Sequence, residues 1–243
     1  MLRQETKYMK TIVVLTGAGI SAESGISTFS GSNGLWKQYR FEEVASPDAW
    51  AREPEVVMDF YNMRRKQLLA VTPNPAHYAL ADLEKKFMVK IITQNVDDLH
   101  ERAGSGDVLH LHGELRKSRS TLDEDLVYDI RGWELKLGDL CEKGSQLRPH
   151  IVWFGEPVPN IMTATGIIRR ADILLVIGTS LKVYPAAGLL QYAPSAIPKY
   201  LIDPEASPEY HVRNLKILRE RASTGVPKVV ADLVNNENFK AGF

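Results

Sequence analysis

The string Gly17-Ala18-Gly19-Ile20-Ser21-Ala22 follows the apolar run Thr11-Ile12-Val13-Val14-Leu15. Glycines at 17 and 19 let the backbone turn tightly and approach a ligand with no Cβ in the way. Ala22 completes a G-x-G-x-x-A pattern, and a helix opening at Ser21 to Ser24 would aim free N–H groups at a pyrophosphate. Four more polar strings follow apolar runs: Gln94-Asn95-Val96-Asp97, His112-Gly113-Glu114, Gly178-Thr179-Ser180 and Asp203-Pro204-Glu205. A histidine titrating near neutrality suits general acid–base work. Gly178, Thr179 and Ser180 offer N–H groups and hydroxyls to a phosphate or ribose. Alone, each string has an ordinary reading: His112 as a satisfied strand-end histidine, Gln94 to Asp97 as a helix cap.

The elements that position these strings are legible as alternating strands and helices. Buried strands are expected at 11–15, 88–92, 108–111, 173–177 and 199–202, where β-branched and aliphatic residues run without alternation. Helices are expected to begin near Ser46-Pro47 and to span 54–70, 74–86, 162–170 and 226–235. On the second of these, Val57, Phe60, Tyr61, Arg64 and Leu68 share a face. Such alternation predicts an α/β fold with a doubly wound parallel sheet. Thr16, Gln94, His112, Gly178 and Asp203 then fall at strand C-termini, the edge where such sheets bind ligands. A plain dehydrogenase would carry a second strand ending in an acidic residue about 20 residues after the glycines. Here Gly25, Gly31, Ser32, Asn33 and Gly34 interrupt the chain, leaving Thr28, Phe29 and Trp36 in a long polar loop of the kind usually reserved for function.

Composition narrows the classes. The 243 residues fit one large domain or a domain with a smaller insertion, and 44% hydrophobic with 25% charged residues is ordinary globular material. Thirty basic residues balance thirty acidic ones, so neither nucleic acid nor an anionic membrane is an expected partner. The single cysteine, Cys141, excludes an internal disulfide or a cysteine-built metal site. Residues 1–10 are polar and charged, and no run approaches a membrane span. A cytoplasmic location is expected.

Taken in order, Gly17-Ala18-Gly19-Ile20-Ser21 with Ser24-Gly25-Ile26, Gln94-Asn95-Val96-Asp97, His112-Gly113, Trp153-Phe154-Gly155-Glu156 and Gly178-Thr179-Ser180 resemble the sirtuins, NAD-dependent protein-lysine deacylases. The resemblance implies a Rossmann-like NAD-binding domain over 1–35, 72–114 and 149–243, with a small domain from insertions at 36–71 and 115–148. It implies a reaction in which acyl-lysine and NAD give lysine, nicotinamide and O-acyl-ADP-ribose. A monomer is expected. It casts His112 as the base, with Asn95 holding a ribose or an ordered water and Asp97 stabilising developing positive charge. Gly17, Ala18, Gly19, Ser21, Ala22, Thr28, Phe29, Trp36, Gln94, Gly178, Thr179, Ser180, Asp203, Pro204, Glu205 and Ala222 would contact the cofactor. Val152, Phe154, Gly155 and Glu156 would offer an extended edge to the substrate peptide. His110 matches no motif position and reads as structural.

Tyr61 and Arg64 match the Tyr-x-x-Arg pair of sirtuins that prefer succinyl or malonyl lysine, where an arginine fork can hold the acyl carboxylate. Two features depart from the family. Most sirtuins bind zinc through two Cys-x-x-Cys pairs in the small module; with only Cys141, no structural zinc is expected, and packing around Leu126, Tyr128, Trp133, Leu135 and Leu140 is expected instead. Ser30 stands where the family usually has arginine after the loop phenylalanine. That substitution motivates the rival reading of a catalytically weak NAD or ADP-ribose binding protein; a protein ADP-ribosyltransferase is a further alternative.

Overall fold

A computed structural model describes residues 9–28, 39–179, 186–207 and 212–236. The chain opens with β1 (Thr11–Thr16) and a short helix α1 (Ala18–Ala22). Three helices follow residue 39: α2 (Phe41–Val44), α3 (Pro47–Arg52) and α4 (Pro54–Leu69). Proline at the first position sets the start of α3 and of α4, and the Ser46 hydroxyl caps α3 by accepting from the Ala49 N–H at 3.1 Å. Helix α5 (Pro75–Leu83) starts the same way and adds a capping box: Asn74 accepts from Ala76 N, and its own N–H donates to His77 Nδ1.

Then come β2 (Met88–Thr93), α6 (Leu99–Ala103), β3 (Val108–His110), β4 (Gly113–Ser120), β5 (Val127–Asp129) and β6 (Leu147–Ile151). The chain closes with α7 (Ile161–Ile168), β7 (Ile173–Ile177), a 3-10 segment (Ala186–Tyr192), β8 (Lys199–Ile202), β9 (Leu215–Leu218) and α8 (Ala222–Asn235). Six strands form one parallel sheet in the order β3-β2-β1-β7-β8-β9, the first five in that order being the ones the apolar runs predict. One face packs on α5 and α8 through Leu80, Leu83, Val226 and Leu233; the other meets Ala164 and Ile168 of α7 and Leu189. Each fully buried aliphatic side chain there contributes roughly 1.5–3 kcal/mol.

The excursion after β3 is more ordered than its composition suggests. Strands β5-β4-β6 make a separate antiparallel sheet reaching from Gly113 to Ile151, beyond the expected 115–148 segment at both ends. β9 was likewise not foreseen, and α8 begins four residues earlier than expected. Helix α4 stitches this sheet to the helical insertion. Asn62 mimics a peptide group toward Leu135, donating to its carbonyl and accepting from its N–H, both at 2.9 Å. Arg65, wholly buried, donates to the carbonyls of Leu115 at 2.6 Å and Trp133 at 2.7 Å and to Asn62 Oδ1.

The apolar centre of the module is Ile130 and Leu135 against Met58, with Trp50 and Leu147 beside them. Of the expected packing set only Leu135 is in that core; Trp133 and Leu140 are exposed, and Leu126 and Tyr128 are half-buried. Cys141 is buried, its thiol donating to Ser120 Oγ at 3.5 Å, while that oxygen accepts from the N–H groups of Leu122 and Asp123. Among the described residues no helix is long and apolar enough to cross a membrane.

Candidate active site

The strand order reverses between β1 and β7, so a crevice opens at their C-terminal ends. Here the two glycine turns touch each other: Gly17 N donates to Ile177 O at 3.0 Å and Gly19 N to Gly178 O at 2.8 Å. A Cβ at Gly19 would lie 2.6 Å from Gly178 Cα, and one at Gly178, where φ is +60°, would lie 2.3 Å from Ile20 N. The glycines thus serve backbone-to-backbone packing before any approach to a ligand. Helix α1 also starts earlier than expected, with Gly17 at its cap and Ala18 as its first residue; Ser21 and Ala22 lie within its last turn, and Ser21 is buried.

Asn95 is fixed from several directions. Its N–H donates to Thr93 Oγ1 at 3.0 Å, and its amide donates to Gly17 O at 3.1 Å and Ser21 Oγ at 3.2 Å. Thr93 Oγ1 also accepts from Thr16 Oγ1, which meets His100 Nε2 at 3.1 Å. The Ser21 hydroxyl passes the chain on to the Asp97 carboxylate, which also accepts from Leu99 N. Burial nevertheless pushes Asp97 above the usual carboxylate range, the Ser21 and Leu99 hydrogen bonds only partly offsetting it. Gln94 donates from its amide to Thr179 Oγ1 at 3.2 Å, linking the ends of β2 and β7.

His112 is half-buried, and its Nδ1 hydrogen is directed to Gln94 O at 3.0 Å, which leaves the Nε2 lone pair as acceptor. Burial pulls its pKa below the ordinary histidine value, the Gln94 carbonyl acting weakly in the opposite sense. At neutral pH it is therefore the unprotonated form, as a base must be. His110 is different: Asn95 O and Glu101 Oε1 occupy both its ring nitrogens, so it has no lone pair to offer, in keeping with a structural reading.

Arg64 and Asp97 line one small pocket together with Ala18, Ser21, Asn95 and Val96. Tyr61, one turn back on α4, is buried against Phe60 and accepts at its hydroxyl from Trp153 Nε1 at 3.0 Å. Burial, outweighing the nearby Arg64 charge, pushes the Tyr61 hydroxyl up to about 12, so it stays a hydrogen-bond donor.

The expected peptide edge takes another form. Residues 154–156 make a turn, not a strand: Glu156 N donates to Trp153 O, Gly155 sits at φ +92°, and Phe154 N donates to Ala45 O. The Glu156 carboxylate is consumed internally, accepting from Trp153 N at 2.7 Å, Arg148 at 2.6 Å and Arg119 at 3.2 Å. It holds the turn and is not available to a substrate. Val152 N is likewise engaged by His112 O, while the Phe154 ring, half exposed, packs on Phe41 at 4.6 Å.

On the far side of the crevice Asp203 is buried, its Oδ1 accepting from Glu205 N at 2.8 Å; Pro204 and Glu205 are exposed beside it. Ala222 is buried in the core cluster that also holds Ile202, so contact with a ligand there would fall to backbone. Thr28 is half-buried, and Phe29, Ser30, Trp36 and Ser180 lie outside the described residues. Thr16 falls at the expected strand edge, whereas Thr93, His100 and Glu101 carry no sequence signal for the site; His100 and Glu101 sit on a five-residue helix whose polar residues carry no motif spacing.

Residues 17–185 match the Sir2 family. The chain is 54% identical over 226 residues to the NAD-dependent protein deacylase of Bacteroides thetaiotaomicron, covering 91% of this chain and 97% of that one. It is 52% identical over 228 residues to the NAD-dependent protein deacylase of Helicobacter pylori, covering 93% and 98%. Among solved structures, a mutant Sir2 homologue with ADP-ribose superposes with a TM-score of 0.86 at 40% identity, over 97% of this chain and 96% of that one. A Sir2 homologue with NAD gives 0.83 at 40% identity, over 94% and 91%. The α/β architecture and site geometry thus converge with a known class of enzymes: the chain belongs to the Sir2 family.

Proposed function

We propose that the chain removes succinyl and malonyl groups, as well as acetyl, from protein lysine, passing the acyl group to ADP-ribose as nicotinamide leaves. The broader activity is that of its family: the chain is an NAD-dependent protein deacylase. The observation that carries the finer reading is Arg64, a buried cation sharing a pocket with Asn95 and Asp97 one turn from the Tyr61 hydroxyl. A guanidinium fork pairs with an acyl carboxylate, and the Tyr61 hydroxyl hydrogen adds a second donor.

The donor set fits NAD. Asp203 leaves Oδ2 for a ribose hydroxyl after spending Oδ1 on Glu205 N, and Gln94 and Thr179 bridge the two strand ends where a diphosphate would lie. When bound, NAD supplies the ribose carbon that receives the acyl oxygen. His112 takes the proton of a ribose hydroxyl at Nε2, its ring oriented by the Nδ1 bond to Gln94 O. Asn95 holds that ribose or an ordered water, and Asp97 stabilises the positive charge that develops as nicotinamide departs. The exposed Phe154 ring contacts the incoming peptide.

Mass spectrometry on matched acetyl-, succinyl- and malonyl-lysine peptides, with and without NAD, tests this reading. NAD-dependent removal of all three, lost in His112→Ala, is the expected result. Arg64→Met should lower desuccinylation at least about tenfold more than deacetylation, the loss of a charge-assisted pair. Equal losses on both substrates would sink the acyl assignment.

A further inference from the structure

Two histidines stand two residues apart at the end of β3 with opposite chemistry. His112 presents a lone pair, whereas His110 is enclosed between two acceptors: Asn95 O lies 2.9 Å from Nδ1 and Glu101 Oε1 lies 2.8 Å from Nε2. A carbonyl oxygen and a carboxylate oxygen donate nothing, so each bond requires a hydrogen on the ring. A neutral imidazole has one such hydrogen; only the imidazolium has two. The pair is well supported, since His110 O accepts from Asn160 Nδ2 at 2.9 Å and the imidazole is buried. The acid partner is ionised: burial pushes Glu101 up, but the His110 hydrogen bond and charge bring it below the usual carboxylate range.

The groups facing His110 come from every neighbouring element. Glu101 and His100 lie on α6, Asp97 on the turn after β2, Glu114 on β4, and His150 on β6 lines the same cavity. Burial pulls His110 down, but Glu101, Asn95 O and Glu114 together leave it above the ordinary histidine value. If the ring loses a proton, the surviving hydrogen belongs with the charged carboxylate, so the Nδ1 lone pair then confronts the Asn95 carbonyl. The peptide group carrying the Asn95 amide loses a donor and gains a repulsion.

We propose that His110, held as an imidazolium between Glu101 and the Asn95 carbonyl, is a positioning residue that fixes Asn95 for NAD, so that NAD affinity falls as His110 deprotonates. The idea rests on the role given above to Asn95. With His112 required unprotonated and His110 required protonated, the two set opposite limbs of a bell-shaped pH–rate profile.

The test is an imidazole NMR titration of the unliganded protein, paired with NAD affinity by calorimetry from pH 6 to 9. Wild type, Glu101→Gln and Glu101→Asp are compared. His110 should titrate above about 6.5, and NAD affinity should weaken at least threefold across the same midpoint. Glu101→Gln should lower that midpoint by about one unit or more and carry the affinity loss with it, while Glu101→Asp restores both. A wild-type midpoint at or below the ordinary value overturns the proposal. So does a Glu101→Gln titration shift that leaves the pH dependence of NAD affinity in place. If Glu101→Gln does not fold, coincidence or separation of the two wild-type midpoints still decides. Wild type that binds NAD as expected but deacylates no peptide would remove the proposed function and leave this inference standing.

Discussion

The Trp153 indole nitrogen donates to the Tyr61 hydroxyl at 3.0 Å, tying the turn after β6 to the helix that carries Arg64. Both residues are buried, so neither has water as a substitute partner. Tyr61→Phe therefore leaves a buried N–H unsatisfied and should cost about 1–3 kcal/mol, measured by urea unfolding. The same variant should slow desuccinylation more than deacetylation in parallel peptide assays.

Gly178→Ala meets two obstacles at once, the left-handed backbone and a Cβ 2.3 Å from Ile20 N. The backbone strain alone is worth roughly 1–3 kcal/mol. The glycine turns after β1 and β7 would be forced apart, so NAD affinity by calorimetry should fall at least tenfold. Unchanged affinity would show that contact between the turns is not needed for binding.

Arg65→Met keeps the length of the side chain and removes every donor to Leu115 O, Trp133 O and Asn62. The buried Leu115 carbonyl and the half-buried Trp133 carbonyl lose charge-assisted partners, and a loss of about 2–4 kcal/mol in chemical denaturation is expected. Hydrogen exchange should locate the loosening in 113–135.

Acid should destabilise the protein before its carboxylates titrate. Burial lowers His77 to about 4 and His100 well below the ordinary value. A histidine that binds protons more weakly when folded contributes stability that is complete above its unfolded value, near 6.5, and lost as pH falls toward the folded one. For His77 this amounts to about 3 kcal/mol over that window. Urea midpoints at pH 7, 6 and 5 should fall steadily, and His77→Gln should flatten the slope.

The parallel sheet was legible because strands such as Ile173–Ile177 are buried on both faces and therefore read as unbroken apolar runs. β4 was hidden by its composition, Gly-Glu-Leu-Arg-Lys-Ser-Arg-Ser, in which Leu115 is the one apolar buried residue and Ser118, Arg119 and Ser120 are buried beside it. Arg119 lies inside with two acidic partners, Glu124 and Glu156, the latter contributed from across β6. That long-range pairing also turned the 154–156 segment away from an extended edge. His112, Asn95 and Asp97 stood out because they follow strands. The layer behind them, Thr93, His100 and Glu101, has no spacing signature, since it is assembled from β2 and α6 only when the sheet forms.

Helix α4 hydrogen-bonds to partners 50 to 73 residues later in the chain, at Leu115, Trp133 and Leu135. The smaller body of the protein is consequently no contiguous stretch that could be cut out and refolded alone. Its two pieces must wait for β1–β3 to bring them together, a non-local assembly whose loop-closure entropy is met late. A nascent chain ending before residue 113 would leave α4 with its buried guanidinium and amide bare, which makes the helix a foldon completed only by sequence that has yet to emerge.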